Sequence, residues 1–195
     1  LHPVAHSFPT RRSSDLGLDS APEMVIVKNR DQADGWRTYH NTGSSEILLF
    51  LHSTSAQGSS GSFTANWTNT SPTSSVFSIG TDAGVNSSAE DYIAYCFHSV
   101  PQYSAFTSYT GNGSSDGVFV YLGVKPALVI TKRTDSADNW AIYDSARDGY
   151  NVAEKYLYAD SSQAETTFST AKIDFLSNGF KWRGAVNFGN ASGGT

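Results

Sequence analysis

The chain has 195 residues, with 13 Lys and Arg, 18 Asp and Glu, and a formal net charge of −5. This weakly acidic balance, without a cluster of basic residues, excludes a partner held through nucleic-acid phosphates. No apolar run approaches the ~20 residues of a membrane-spanning helix, so no membrane partner is predicted either. Cys96 is the single cysteine, which excludes a disulfide within these residues.

Residues 1–16 are predicted to be a leader that takes no part in the fold. Residues 6–16, HSFPTRRSSDL, resemble the translation of a sequencing adapter, and such segments carry no fold information. The alternative is a short basic N-terminal arm. The folded part is therefore predicted to be one domain over residues 17–195.

Short segments rich in Val, Ile, Phe, Tyr and Trp follow one another along this domain, separated by turn residues such as Asp34-Gly35 and Asn178-Gly179. Residues 53–62 are small and polar and are predicted to be a surface loop. Residues 151–158, NVAEKYLY, are the only helical candidate, and a strand is nearly as well supported there. Many short strands with regular turn signals favour an antiparallel sandwich or barrel. The predicted strands are 24–29, 36–40, 46–52, 75–79, 91–98, 104–109, 118–122, 127–132, 140–143, 172–176 and 180–183.

The sequence repeats itself at an offset of 104 residues. PEMVIVKNRDQADGWRTYH, residues 22–40, aligns without a gap with PALVITKRTDSADNWAIYD, residues 126–144, and Asn86 recurs as Asn190. Such self-similarity indicates two related β units, here about 21–123 and 124–195. The counterpart of the strand 91–98 would begin just past Thr195, so the second half is expected to lack its last strand. The fold prediction is all-β: an antiparallel β-sandwich of jelly-roll or concanavalin A-like lectin type, built from two related halves.

Each copy of the repeat carries two acidic residues in its hairpin loop, which are Asp31 and Asp34 in the first and Asp135 and Asp138 in the second. Closely spaced carboxylates can bind calcium, but the loops lack the spacing and the distal Glu of a strong calcium motif. Turn formation, with a salt bridge to Lys28 or Lys132, is the favoured interpretation. Calcium binding stays open as a weaker one.

Two unrepeated segments are candidate ligand sites. In TGNGSSDG, residues 110–117, a plain β–β turn is the favoured interpretation of the glycines. Because the loop is unrepeated, glycan binding stays open, and Asn112, Ser114 and Asp116 can hydrogen-bond sugar hydroxyls. Trp67 stands alone among polar residues in TANWTNTSPT. An exposed Trp offers a flat apolar face to a sugar ring; the alternative is that Trp67 folds back over the edge of the sandwich.

No catalytic residue, resident metal or cofactor is predicted. The chain has no Gly-x-Ser-x-Gly, no His-Glu-x-x-His and no Cys–His pairing. A glycosidase needs two carboxylates across a cleft, and the sequence places none so. Cys96 lies in the apolar segment YIAYCF, where a free cysteine usually packs as a small core residue.

Several segments together resemble an uncharacterised domain of tailed-bacteriophage virion proteins: PEMVIVKNRDQADGW, DYIAYCF, FLSNGFKWR and above all residues 106–144. That domain often lies beside tail-fibre-like or concanavalin A-like lectin modules. The resemblance implies a non-enzymatic β-sandwich on the surface of a virion, which binds host-surface glycans or other virion proteins. Copies of the chain associated within a fibre would add avidity. The alternatives are a structural spacer or decoration domain without a ligand and, less favoured, a glycan-cleaving enzyme.

Overall fold

The computed structural model describes residues 16–43 and 46–195. Residues 1–15 of the predicted leader lie outside the described residues. Leu16, the last leader residue, is buried, and its backbone N–H donates to the carbonyl of Ser75 at 2.9 Å. Leu16 therefore belongs to the fold. Within the described ranges, no helix is long and apolar enough to cross a bilayer.

The described residues form eleven strands and three short helices. The strands are β1 (Met24–Asn29), β2 (Arg37–Asn41), β3 (Glu46–Phe50), β4 (Tyr92–Phe97), β5 (Phe119–Tyr121), β6 (Leu128–Lys132), β7 (Trp140–Asp144), β8 (Lys155–Tyr158), β9 (Thr166–Thr167), β10 (Ile173–Leu176) and β11 (Gly179–Trp182). The helices are α1 (Ser60–Trp67), α2 (Ala83–Asn86) and α3 (Asn187–Asn190).

The chain divides into two compact units. The first unit runs to Leu51 and includes Gln57–Ser99, and the second consists of His52–Ala56 and Val100–Thr195. Each unit has its own cluster of buried apolar side chains. The division at Ser99–Val100 precedes the boundary of the sequence repeat, because β5 pairs with β11 of the second unit.

The first unit contains one antiparallel sheet in the order β3-β2-β1-β4. Alternation along β1 sends Val25 and Val27 into the core. Helix α1 contributes Trp67 to the same core, and Phe63 packs against it. Helix α1 therefore covers the apolar face of this sheet, which must be buried against another element.

The second unit contains two antiparallel sheets, in the orders β10-β11-β5 and β6-β7-β8-β9. Their inner faces share one core, in which Trp182 of β11 meets Tyr143 of β7 with ring centroids 5.8 Å apart. Phe188 from the α3 segment packs 6.1 Å from Trp182. The predicted all-β antiparallel sandwich is confirmed.

Several predicted elements are corrected by the structure. Residues 75–79 and 104–109 form no strand, and residues 155–158 of the helical candidate form β8. The predicted loop 53–62 ends in a helix, since α1 begins at Ser60 with Ser59 as its N-cap. Helix propensity is low in SGSFTANW, so the burial of Trp67 and Phe63 holds α1 in place.

The repeat recurs in the geometry of the two units. Met24 lies opposite His40 in the first hairpin, and Leu128 lies opposite Asp144 in the second, again at an offset of 104 residues. Helices α2 and α3 obey the same offset. The repeat therefore specifies a hairpin, its register and a short helix.

Candidate functional site

The expected exposure of Trp67 is wrong. Its side chain is only 3% exposed, and its ring packs edge-on against Tyr39 and Phe77 with centroids 5.9 and 6.3 Å away. The polar neighbours misled the prediction because some of them, such as Thr64 and Asn69, are exposed, whereas Trp67 packs into the core and the adjacent Asn66 is buried as well. Trp67 has no free face for a sugar ring.

The TGNGSSDG loop is closed by bonds to itself. The Asn112 side chain accepts the Ser114 N–H at 3.0 Å and donates to the Asp116 carbonyl at 3.0 Å, and the Ser114 hydroxyl accepts the Asp116 N–H at 3.1 Å. Gly113 has φ +66°, which favours glycine. Much of the hydrogen-bonding capacity of Asn112 and Ser114 is therefore used to shape the turn.

Buried Asn190 holds this loop from beneath. Its side-chain oxygen accepts the Asn112 N–H at 3.0 Å, and its amide nitrogen donates to the carbonyls of Ser114 and Gly184, both at 2.9 Å. In the first unit, Asn86 makes the bond equivalent to the last of these, to the Gly80 carbonyl at 2.8 Å. The repeated asparagine is thus a structural clamp.

Asp116 differs from its loop neighbours because its carboxylate points outward. It is 81% exposed and forms an ion pair with Lys181 of β11, with Oδ1 and Nζ 2.7 Å apart. The hydrogen bond from Lys181 lowers the pKa of Asp116. Asp116 is therefore charged at neutral pH, beside β5, an edge strand of its sheet.

This edge carries two exposed aromatic residues. Phe119 and Tyr121 of β5 are 42% and 68% exposed, while Val120 between them is buried in the core, so both rings lie on the outer face. Lys181 lies opposite Phe119, and Gly179 lies opposite Tyr121. A side chain at Gly179 would collide with the Val120 carbonyl and would also crowd the Phe119 ring, and Gly179 itself is buried.

The next strand extends the same face with charge. Asp174 of β10 lies opposite Lys181, and its carboxylate accepts from the Arg183 guanidinium at 2.6 Å. We name the set Asp116, Phe119, Tyr121, Asp174, Lys181 and Arg183 the β5 face. Its exposed groups are two flat apolar rings, the Asp116 carboxylate and cationic donors, whereas Asp174 is only 5% exposed.

The four repeated loop carboxylates serve the fold. Asp31 accepts the Asp91 N–H at 2.5 Å and Asp135 accepts the Thr195 N–H at 3.3 Å. Asp34 accepts from Asn29, and Asp138 from the backbone N–H of Asn139. No group of three or more His, Cys, Asp or Glu side chains in the described part of the chain is arranged to hold a metal ion.

The repeated lysines bond chiefly to carbonyl groups. Lys28 donates to the carbonyls of Asn29 and Gln32, and Lys132 donates to those of Arg133 and Thr54. At Lys28, the hydrogen bonds to the carbonyls of Asn29 and Gln32 take the place of the predicted salt bridge. Burial lowers the pKa of Lys132, and the nearby carboxylates of Asp138 and Asp160 oppose that shift.

Glu23 and Glu46 line an open surface depression of about 370 Å³ in the first unit. Both carboxylates are bonded within the protein: Glu23 accepts the Ser99 N–H at 2.5 Å, and Glu46 accepts the Tyr39 hydroxyl at 2.7 Å. A glycosidase needs two carboxylates on opposite sides of a cleft, and in this open depression both carboxylates are engaged in bonds within the protein.

Cys96 is a packing residue of β4, and burial raises the pKa of its thiol from 9.0 to about 12. The thiolate is the reactive form. We expect a thiol reagent at pH 8 to label folded protein about a thousandfold more slowly than protein in urea, because each pKa unit changes the thiolate fraction about tenfold. Equal rates in both conditions would contradict this placement.

Sequence reasoning did not single out Phe119 and Tyr121, although it predicted their strand. The signal was present in VFVY: with Val120 inward, alternation places both aromatic residues outward. What the sequence lacked was the neighbouring strand. Lys181 and Asp174 reach this face only through pairing over long sequence separations.

The comparisons with known proteins bear on the family alone. Neither the curated proteins nor the solved structures contain a match to this chain. The domain of unknown function DUF7483 matches residues 9–195, almost the whole chain. The sandwich carrying the β5 face is therefore a member of the DUF7483 family.

Proposed function

We propose that this chain is a non-enzymatic binding module on the surface of a phage virion, which contacts host glycans through the β5 face. The single observation that carries the proposal is the pair of exposed rings of Phe119 and Tyr121 on one rigid strand. Aromatic faces of this kind stack on the apolar faces of sugar rings. The virion location rests on the resemblance of the sequence to phage domains.

The neighbouring charges supply the polar half of such a site. Asp116 and Lys181 can accept from and donate to sugar hydroxyl groups beside the rings. Because they are paired with each other at 2.7 Å, they are held in place before a ligand arrives, which lowers the entropic cost of binding. The Asn112 and Ser114 side chains shape the turn that presents Asp116.

The face is open, so a single copy would bind weakly. Buried ligand surface is small in a shallow site compared with a true pocket. Several copies on one particle would act together, since a second contact becomes intramolecular once the first has formed. This is the mechanism by which a weak site would hold a virion to a cell.

A multimeric display of the whole chain on a glycan array tests this proposal. Tyr121→Ala is expected to weaken binding about fivefold, because an aromatic contact is worth about 1 kcal/mol. Tyr103→Ala is the matched control, since Tyr103 is 63% exposed in the same unit but lies outside the β5 face. Equal loss in both variants would count against a site on β5.

The second candidate function is a structural spacer or decoration domain that contacts other virion proteins. It is favoured by the burial of Trp67 and by the self-bonded TGNGSSDG loop. If a folded multimer bound no glycan, the spacer would replace the lectin-like module. Glycan cleavage would instead show as reducing ends released from a bound glycan and lost in Glu46→Gln.

A further inference from the structure

Strand β6 has an open edge in the second unit. It is the outermost strand of the sheet β6-β7-β8-β9, and no strand in the described ranges pairs with its outer side. Its counterpart β1 is flanked by β2 on one side and by β4 on the other. The two sheets therefore differ by one strand at an equivalent position.

The outward backbone groups of β6 follow from its register. The Ala127 carbonyl accepts the Ser145 N–H at 2.9 Å, so this residue faces β7. Because backbone direction alternates along an antiparallel strand, Leu128, Ile130 and Lys132 direct their N–H and C=O groups to the open edge. Such an edge is a template for one more strand.

The side chains beside this edge also lack a cover. Leu128 is 55% and Ile130 is 49% exposed. Their counterparts Met24 and Ile26 are half-buried, and they lie opposite Phe97 and Tyr95 of β4. Bulky residues on a neighbouring strand provide the cover in the first unit.

The first rung of a ladder along β6 is already present. The Thr134 N–H donates to the Thr195 carbonyl at 2.5 Å, as the Arg30 N–H donates to the Asp91 carbonyl at 2.8 Å. The Thr195 N–H donates to Asp135, as that of Asp91 donates to Asp31. Thr195 thus occupies the position of Asp91.

In the first unit, β4 begins at Tyr92, the residue directly after Asp91. We propose that the open edge of β6 takes up one antiparallel strand joined directly after Thr195. If the added strand pairs with β6 in the register that β4 has on β1, the second, fourth and sixth residues of the added strand face Lys132, Ile130 and Leu128. Bulky apolar side chains are required at the fourth and sixth positions. This proposal is independent of glycan binding.

The test appends the sequence of Tyr92–Phe97 directly after Thr195 of the whole chain. In the 195-residue chain, we expect the amides of Leu128, Ile130 and Lys132 to exchange with deuterium rapidly. In the extended chain, their exchange is expected to slow by at least about tenfold, since a paired edge opens less often. Met24, Ile26 and Lys28, which face β4, are the internal reference for protected amides.

The matched control carries prolines at the second and fourth appended positions. Proline has no N–H to donate and is excluded where the N–H would face a neighbouring strand. The second and fourth positions face β6, so the control is expected to leave the three amides unprotected. Unchanged exchange in a folded extended chain would overturn the proposal. Concentration-dependent dimerisation of the 195-residue chain that protects the same amides would also overturn it, because a second copy would then be the occupant.

Discussion

Trp67→Ala is expected to destabilise the first unit by about 3–5 kcal/mol, the usual cost of truncating a buried Trp. The indole is 3% exposed and joins helix α1 to the sheet through Tyr39 and to the 75–79 segment through Phe77. Its loss leaves a cavity between these three segments. Because a domain is stable by only about 5–15 kcal/mol, such a loss removes much of the stability of this unit.

Urea unfolding gives the free-energy change, and hydrogen exchange locates it. We expect protection to fall in β1, β2 and α1, whose side chains share a core with Trp67. Val129, Tyr143 and Trp182 belong to the other core cluster, to which Trp67 does not contribute. Their strands are therefore expected to keep their protection.

Trp67→Phe is the matched variant for this experiment. Among the residues that the structure describes, the Trp67 indole N–H has no hydrogen-bond acceptor, so removing it sacrifices no bond. We expect a cost of only about 1 kcal/mol, from the smaller ring. A cost below about 1 kcal/mol for Trp67→Ala itself would mean that the ring is exposed, which is the placement first suggested by its polar neighbours.

The strands of the repeat are predictable because residues close together in the sequence determine them. Alternation at Val25 and Val27, a turn around Asp34-Gly35 and a second copy of both specify a hairpin and its register. Helix α1 is different. Its residues are poor helix formers, and it exists because Trp67 is buried against a sheet whose strands come from residues far away in the sequence.

The candidate site shows the same limit. Asp116 is visible in the sequence as part of an unrepeated turn, but its partner Lys181 is 65 residues away and reaches it through the pairing of β5 with β11. The sequence also offered Asn112 and Ser114 as ligands, since turn formation and sugar binding use the same residue types. Only the bonding partners of these side chains separate the two roles.

Asn190→Ala is expected to destabilise the second unit by about 3–5 kcal/mol, as much as the loss of a core aromatic residue. Asn190 is fully buried, and its side chain makes three hydrogen bonds, with the Asn112 N–H and with the carbonyls of Ser114 and Gly184. Each buried group left without a partner costs about 1–3 kcal/mol. Thermal and urea unfolding measure the loss.

Asn86→Ala is the matched control from the other copy of the repeat. Asn86 is exposed, and its side chain donates one hydrogen bond within the described part of the chain, to the Gly80 carbonyl, so we expect a cost of about 1 kcal/mol. If both variants lost a similar unfolding free energy, the larger cost expected at Asn190 could not come from its bonds to the TGNGSSDG loop.

Asn190→Asp separates the hydrogen bonds from the shape of the side chain. The carboxylate can still accept the Asn112 N–H, but it faces the carbonyls of Ser114 and Gly184 with no proton to donate.

Burial beside two carbonyls raises the pKa of such a carboxyl group above its unfolded value. A raised pKa gives stability that is present below the unfolded pKa and is lost as the pH rises through the folded pKa. The deficit of this variant relative to the unchanged chain should therefore shrink as the pH falls from 7 toward 4, whereas the deficit of Asn190→Ala should not. A deficit independent of pH in both variants would assign the effect to packing rather than to the three bonds.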